Sequence, residues 1–131
     1  MKRFAVVTTT LFFLTNTAGV LAQTPKLMIF GGMGHRTYLG CLNCSQYASD
    51  SIYNEYGHYG SPYSADSVFN QYGEYGSPSS DESACDPYAN DPPVIVDQDG
   101  RFYGRLTLNA YHPQASNNES VLGWLAMVCR H

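Results

Sequence analysis

The chain is short of charge, and of positive charge above all. Only 14% of its 131 residues are charged, against roughly 25% in ordinary soluble domains. Seven Lys and Arg stand against eleven Asp and Glu, so the net charge is −4. A protein that holds nucleic acid through its phosphates needs the opposite balance. The composition therefore argues against nucleic acid as a partner, and the length allows one domain.

The chain also lacks the short motifs of common enzymes. No HExxH, GxSxG or GxGxxG pattern occurs, and the four histidines are dispersed. Asp97-Gln-Asp-Gly100 resembles the start of a calcium loop, but Gly100 arrives at position four and Leu108 occupies position twelve, where an EF-hand needs Glu. A hairpin turn explains these residues without a metal. We expect no catalytic residue, metal or cofactor. The sequence leaves open only a catalytic site that is assembled from residues far apart in the chain.

The first segment has the three parts of a secretory signal peptide. Lys2 and Arg3 precede an apolar stretch, residues 4–14, and Val20-Leu-Ala22 offers a cleavage site. The apolar stretch is too short for a spanning helix, which needs about 20 apolar residues. We predict a signal peptide over residues 1–22 and a single mature domain over 23–131, secreted or periplasmic, without a membrane span after cleavage.

The middle of the chain is an internal repeat. Residues 51–64 recur as 67–80, and nine of the aligned positions are identical. A third copy begins at Ser83 and decays from Ala89 onward. The repeat region, residues 51–92, lies inside the mature domain.

Glycine, proline and serine dominate each repeat. Asp50-Ser51 and Asp66-Ser67 predict N-caps of single helical turns, followed by tight loops. We expect Gly57 and Gly73 to end these turns with positive φ, because glycine commonly ends a helix in the left-handed conformation.

Two predicted β-hairpins flank the repeats. Residues 27–43 and 94–109 each have the pattern of strand, Gly-containing turn, strand. Residues 121–129 are mostly apolar, and Asn117 or Asn118 can cap a helix there. We predict an α+β fold: a small antiparallel sheet from two β-hairpins, a loop-rich Tyr/Gly repeat insertion, and a short C-terminal helix that is mostly buried over one face.

The repeats and the hairpins together resemble a group of small exported bacterial proteins. These carry Asn-x-Tyr-Gly-x-Tyr-Gly-Ser repeats between two hairpins that end in Gly-x-Leu-x-x-Asn. Here the full hairpin ending starts at Gly104, and a shorter form starts at Gly40. The resemblance covers about residues 27–110. It implies a bacterial origin and a shared fold, and it supplies no established activity or catalytic residue.

Four cysteines, at positions 41, 44, 85 and 129, predict two disulfides in an exported chain. Cys41 and Cys44 form a CxxC pair, which redox and zinc sites also use, but the pair follows a predicted strand rather than opening a helix. On an extended strand these two residues lie about 10 Å apart, beyond the roughly 7 Å that a disulfide spans. We therefore expect Cys44–Cys85 with Cys41–Cys129, and the crossed pairing 41–85 with 44–129 stays open.

Tyrosine is abundant, with 11 in the chain. Exposed rings at a fixed period could stack on sugars or contact a protein. We nevertheless expect most rings to pack inward, because the repeat region has few aliphatic residues to fill a core. The candidate binding aromatics are Tyr56, Tyr59, Tyr63, Tyr72 and Tyr75.

These features favour a non-enzymatic, disulfide-stabilised exported module that is structural or binds a ligand. An envelope glycan or a protein is the candidate partner. The alternative is a secreted enzyme, or an enzyme-accessory domain, that acts on envelope polymers.

Overall fold

The computed structural model describes residues 24–130 and confirms the α+β class. The predicted signal peptide over residues 1–22 lies outside this range. The elements are β1 (Met28–Gly31), β2 (Thr37–Cys41), β3 (Val94–Val96), β4 (Phe102–Arg105) and the C-terminal helix α1 (Glu119–Val128). Between residues 24 and 130, no helix combines the length and hydropathy that a membrane crossing requires.

The two hairpins form one four-stranded antiparallel sheet in the order β2-β1-β3-β4. They meet where β1 pairs with β3, with Ile29 opposite Ile95 and Phe30 opposite Val94. Opposed residues share a face. Ile29 and Ile95 therefore point into the core, where both are buried, and Phe30 and Val94 lie on the other face.

Both hairpin turns use glycine at positive φ. The first is a 3₁₀ turn over Met33–His35, flanked by Gly32 at φ 77°. In the second, Oδ1 of Asp97 accepts from the backbone N–H groups of Asp99 (2.9 Å) and Arg101 (3.0 Å), and Gly100 has φ 81°. The Asp97–Gly100 sequence is thus a turn between β3 and β4, held by protein hydrogen bonds.

Residues 45–92 form a run of consecutive turns, called the turn array below. In the first repeat, backbone bonds join Asn54 N to Ser51 O (3.2 Å) and Gly57 N to Asn54 O (2.9 Å). The equivalent bonds of the second repeat measure 3.2 and 3.0 Å. Ser51 makes the bond expected of an N-cap, since its Oγ accepts from Tyr53 N at 3.1 Å. The segment that follows is a series of i→i+3 turns and not a helix.

Each repeat inserts one serine and one small apolar side chain into the core. Ser51 and Ser67 are fully buried, and their hydroxyls donate to backbone carbonyls at 3.2 and 3.1 Å. The next residues along the chain are buried too and pack with sheet and helix residues in one cluster. That cluster contains Ile29, Leu39, Leu42, Ile52, Val68, Tyr75, Ala84, Ile95, Leu106 and Leu125.

The expected positive φ at Gly57 and Gly73 is wrong. In the described part of the chain, positive-φ glycines occur only at Gly32, Gly34, Gly40, Gly100 and Gly104. The i→i+3 turns of the array keep negative φ, so no left-handed residue is needed to end them.

The expected disulfide pairing is also wrong: Cys41 bonds to Cys44, and Cys85 to Cys129, with Cα separations of 5.6 and 5.3 Å. The expectation assumed that the chain stays extended after Cys41. In fact it bends over residues 42–44. Leu42 N still donates to Leu27 O (2.8 Å), but the Asn43 side chain, through Oδ1, and not a backbone carbonyl accepts from Leu27 N (2.8 Å). This bend brings the CxxC cysteines within bonding distance, and the second disulfide fastens the third repeat to the end of α1.

The helix α1 begins at an Asn118 cap, whose Oδ1 accepts from Ser120 N (3.0 Å) and Val121 N (3.3 Å). Only Leu125 of this helix is buried, so the expectation of a mostly buried helix is wrong. Trp124 lies edge-on to the rings of Tyr53 and Phe69, with centroids 6.0 and 5.8 Å away. The helix is therefore held by Leu125 in the core cluster, by Trp124 on the turn array and by the Cys85–Cys129 disulfide at its end.

Candidate binding surface on the turn array

Most tyrosines point outward, contrary to expectation. Eight of the 11 are exposed, and only Tyr75 is buried. The reason is that Ser51, Ile52 and their equivalents already fill the inner positions of the array. The exposed rings belong to Tyr47, Tyr53, Tyr56, Tyr63, Tyr72, Tyr88, Tyr103 and Tyr111.

A local hydrogen bond sets the position of each outer ring in the array. The tyrosine is the third residue of a Ser/Asn/Asp-x-Tyr triplet, and its backbone N–H donates to the side-chain oxygen two residues earlier, as in Asx and serine turns. These bonds are Tyr47 to Ser45 (3.3 Å), Tyr56 to Asn54 (3.2 Å), Tyr63 to Ser61 (3.2 Å), Tyr72 to Asn70 (3.1 Å) and Tyr88 to Asp86 (2.8 Å). The triplet is visible in the sequence and would have added Tyr47, Tyr53, Tyr88 and Tyr111 to the candidates.

The five sequence candidates divide into two groups. Tyr56, Tyr63 and Tyr72 are 90–92% exposed. Tyr59 is half-buried with its ring edge-on to Tyr38, centroids 5.0 Å apart. Tyr75 packs against the first hairpin turn, where its ring lies 3.1 Å from the position that a Cβ on Gly31 would take. Tyr59 and Tyr75 therefore hold the array onto the sheet and do not face solvent as the other three do.

The exposed rings define two equivalent clefts. Cleft 1 has a volume of about 330 Å³, and cleft 2 has a volume of about 430 Å³. Cleft 1 is lined by Gln46, Tyr47, Asn54, Glu55 and Tyr56. Cleft 2 is lined by Pro62, Tyr63, Phe69, Asn70, Gln71 and Tyr72. Five positions of the two linings correspond from one repeat to the next, including both tyrosines of each pair.

The two-tyrosine pattern is incomplete beside Tyr88. Tyr88 of the third repeat is exposed at the position of Tyr56 and Tyr72, but Ser79 of the second repeat stands at the position that Tyr63 and Tyr47 occupy one and two periods earlier. The backbone turn is retained, because Ser79 N donates to Ser77 Oγ at 3.2 Å, like Tyr63 N to Ser61 Oγ. The chain before Tyr88 thus has the turn without the second ring.

Neither cleft has a Lys or Arg in its lining. No Lys or Arg occurs between Arg36 and Arg101, a stretch that contains the whole turn array and several carboxylates. Glu55 lies in cleft 1, and the equivalent position in cleft 2 is Gln71. The array therefore presents tyrosine rings in an acidic setting, which repels anions and favours neutral or cationic groups.

A separate open depression of about 520 Å³ lies on the outer face of the sheet. Its floor is apolar, formed by Phe30, Val94, Val96 and Phe102, and its polar lining comes from His35, Arg105 and Gln114. None of these seven side chains is a serine, cysteine or lysine nucleophile. What the depression offers chemically is an apolar floor with an imidazole and a guanidinium at its edge.

A small polar network lies at the edge of this depression. Asp91 Oδ1 accepts from Arg105 Nη1 at 2.8 Å and lies 2.9 Å from His35 Nε2. Burial opposes ionisation of Asp91, but the bonds to Arg105 and His35 outweigh it and keep the pKa of Asp91 below its usual value. Arg105 also donates to the carbonyl of Pro92 (2.8 Å). The arginine is mostly engaged within the protein, so the network joins β4 to the end of the turn array.

No protein-family model matches the chain, and neither the curated proteins nor the solved structures yield a similar protein.

Proposed function

We propose that the protein is a non-enzymatic exported binding module that contacts its partner through the exposed tyrosine rings of the turn array. The observation that carries this proposal is recurrence: cleft 1 and cleft 2 place two tyrosines in the same arrangement, one repeat apart. Tyrosine is favoured at binding surfaces because it offers a large rigid contact area with a polar tip. Its near-complete exposure here leaves that area available.

Export to the periplasm or the outside of the cell is part of the proposal. The start of the chain has the pattern of a signal peptide. The two disulfides are compatible with an oxidising compartment. Intact-mass analysis of the protein recovered outside the cytoplasm should give a chain that begins at Gln23. Recovery of the chain only in the cytoplasm, with Met1 retained, would contradict export.

Binding is tested by pulldown of the exported protein on insoluble envelope polymers. Replacing Tyr56, Tyr63 and Tyr72 together by Ser should abolish retention, because serine keeps the turn, as Ser79 does, and removes the ring. Tyr111→Ser is the matched control, since this ring is 96% exposed outside the array. Equal retention of all three proteins would exclude the array as the binding surface.

The group of small exported bacterial proteins that the sequence resembles gives this module its proposed setting. In that setting the module is stabilised by disulfides and presents tyrosines from repeats between two hairpins. Envelope glycans and envelope proteins are the polymers within its reach.

A second candidate is an enzyme, or an enzyme-accessory domain, that acts on envelope polymers. The observation that favours it is the His35–Asp91 pair at the edge of the sheet depression. An enzyme would release soluble fragments from the polymer, and His35→Ala would stop the release while leaving the tyrosine-dependent retention intact. Retention without fragment release favours the binding module.

A further inference from the structure

We propose that cleft 1 and cleft 2 are equivalent subsites for one glycan chain that is neutral or bears amines. This inference rests on the binding function proposed above and names its ligand class. A polymer built from near-identical sugar units presents the same chemistry at regular intervals, and the array presents the same cleft at a regular interval in its sequence.

The equivalence of the two clefts extends to the bonds that hold the rings. Asn54 and Asn70 each accept from the N–H of the tyrosine two residues later. Each also donates through Nδ2 to a carbonyl six residues earlier, at 3.2 and 3.0 Å. The backbone that carries Tyr56 and Tyr72 is therefore held by the same pair of side-chain bonds. A preorganised backbone loses little entropy on binding, which suits a weak, repeated contact.

The chemistry of the lining fits sugars. The C–H face of a pyranose can stack on an aromatic face, and each cleft has two tyrosines for this contact. Carboxyl and amide groups lie beside the rings, Glu55 in cleft 1 and Gln71 in cleft 2. Such groups can accept hydrogen bonds from sugar hydroxyls.

The charge of the surface selects among glycans. Neither cleft is lined by Lys or Arg, so both lack the groups that pair with carboxylate or phosphate. An amine on the sugar would instead meet tyrosine faces and nearby carboxylates, both of which attract cations. Anionic glycans should therefore bind least.

Ser79 provides a direct test, because Ser79→Tyr would complete a third cleft beside Tyr88. The turn at Ser79 already has the bond that positions Tyr63 in cleft 2, and Ser79 is exposed. If the clefts act as repeated subsites, an added one should tighten binding of a long glycan and leave binding of a disaccharide unchanged.

The experiment is calorimetric titration of the exported protein. The probes are chitohexaose, its fully deacetylated form, chitobiose, an alginate hexamer and a polyproline decamer. We expect both chito-hexamers to bind, chitobiose to bind more weakly, and alginate not to bind. Ser79→Tyr should lower the Kd for chitohexaose about fivefold, and Tyr63→Ser should raise it by about as much. Tyr111→Ser should leave it unchanged, and urea melts of each variant check the fold.

Each contrary result has a distinct meaning. If neither chito-hexamer binds at millimolar concentration, or if alginate binds as well, the glycan assignment is wrong. If polyproline binds through the same tyrosines and the glycans do not, the ligand is a polypeptide and the module function survives. If Tyr63→Ser weakens binding but Ser79→Tyr has no effect, the clefts are not equivalent subsites. If no tyrosine of the array affects binding of any probe, the proposed function fails as well.

Discussion

Gly60 lies directly against the backbone carbonyl of Asn54, so that a Cβ on Gly60 would come within 2.6 Å of the carbonyl carbon. Gly76 repeats this relationship with Asn70, at 2.9 Å from the carbonyl carbon. Real Cβ atoms do not approach backbone so closely, and neither glycine has positive φ. The turn array therefore needs a bare Cα at this position because of space, not because of backbone conformation.

Gly60→Ala should consequently destabilise the protein by about 2–3 kcal/mol, as overpacking of a rigid site does. Gly57→Ala is the matched comparison, since its nearest contacts are the Asn54 side chain, at 3.1 Å, and the Ser49 carbonyl, at 3.2 Å. We expect it to change the free energy of unfolding by no more than about 1 kcal/mol. Urea unfolding of both variants measures the difference, and similar midpoints would contradict the close approach at Gly60.

The two disulfides should stabilise the fold unequally. In the chain-entropy model, Cys85–Cys129, with a separation of 44 residues, contributes about 4 kcal/mol. Cys41–Cys44, with a separation of 3, contributes about 2 kcal/mol. The double replacement Cys85→Ser with Cys129→Ser should lower the urea midpoint more than Cys41→Ser with Cys44→Ser. Non-reducing peptide mapping of the native protein must show a 41–44 peptide, and a 44–85 link would overturn the pairing.

Asn70 should be important for the stability of the array, since its side chain makes two bonds in one turn. Its Oδ1 accepts from Tyr72 N (3.1 Å), and its Nδ2 donates to Ser64 O (3.0 Å). Asn70→Ala should cost about 2 kcal/mol, roughly 1 kcal/mol for each bond. Asn70→Asp keeps the acceptor and loses the donor, so it should be less stable than wild type at pH 7. Thermal melts of these variants test the prediction. An unchanged Tm for Asn70→Ala would show that the Asn70 side chain does not stabilise the turn.

Glu82 should make stability fall between weakly acidic and neutral pH. Its Oε2 is buried without a hydrogen-bond donor among the described residues. The neighbouring Glu74 carboxyl, then burial and further negative charge, raises the pKa of Glu82 to about 7. Between the ordinary glutamate pKa and about 7, the unfolded chain releases this proton while the folded protein keeps it, so stability is lost as pH rises.

Urea midpoints at pH 5.5 and pH 8 test this relationship. The wild type should be more stable at pH 5.5, and Glu82→Gln should remove most of the difference. The lowered pKa values of Asp50 and Asp91 act in the opposite direction, but below this range. Glu55→Gln, at an exposed position of the same array, should preserve the wild-type difference. A wild type that is equally stable at both pH values would show that Glu82 is ionised throughout.

Much of the fold was predictable because its signals are local. Glycine and aspartate at residues 97–100 specify a tight turn between two apolar runs, and the structure has β3 and β4 on either side. Asn118 was one of two predicted caps and is the one used. The predicted hairpin over residues 94–109 was too long, since β4 ends at Arg105. Beyond that residue the backbone bonds to other segments, with Leu106 N donating to Pro93 O at 2.8 Å and Leu108 N to Ala84 O at 2.9 Å.

The sequence by itself determined the hairpins, the helix and the period of the repeats, because turn residues and apolar patterns act over a few positions. Only the tertiary structure decided which rings face solvent, since Ser51, Ile52 and their equivalents, together with Tyr75, fill the core side of the array. It also decided the disulfides: a hydrogen-bonded bend after Cys41 joined that residue to Cys44, and the position of α1 placed Cys129 beside Cys85. Both outcomes depend on contacts between residues far apart in the chain, and local patterns do not encode such contacts.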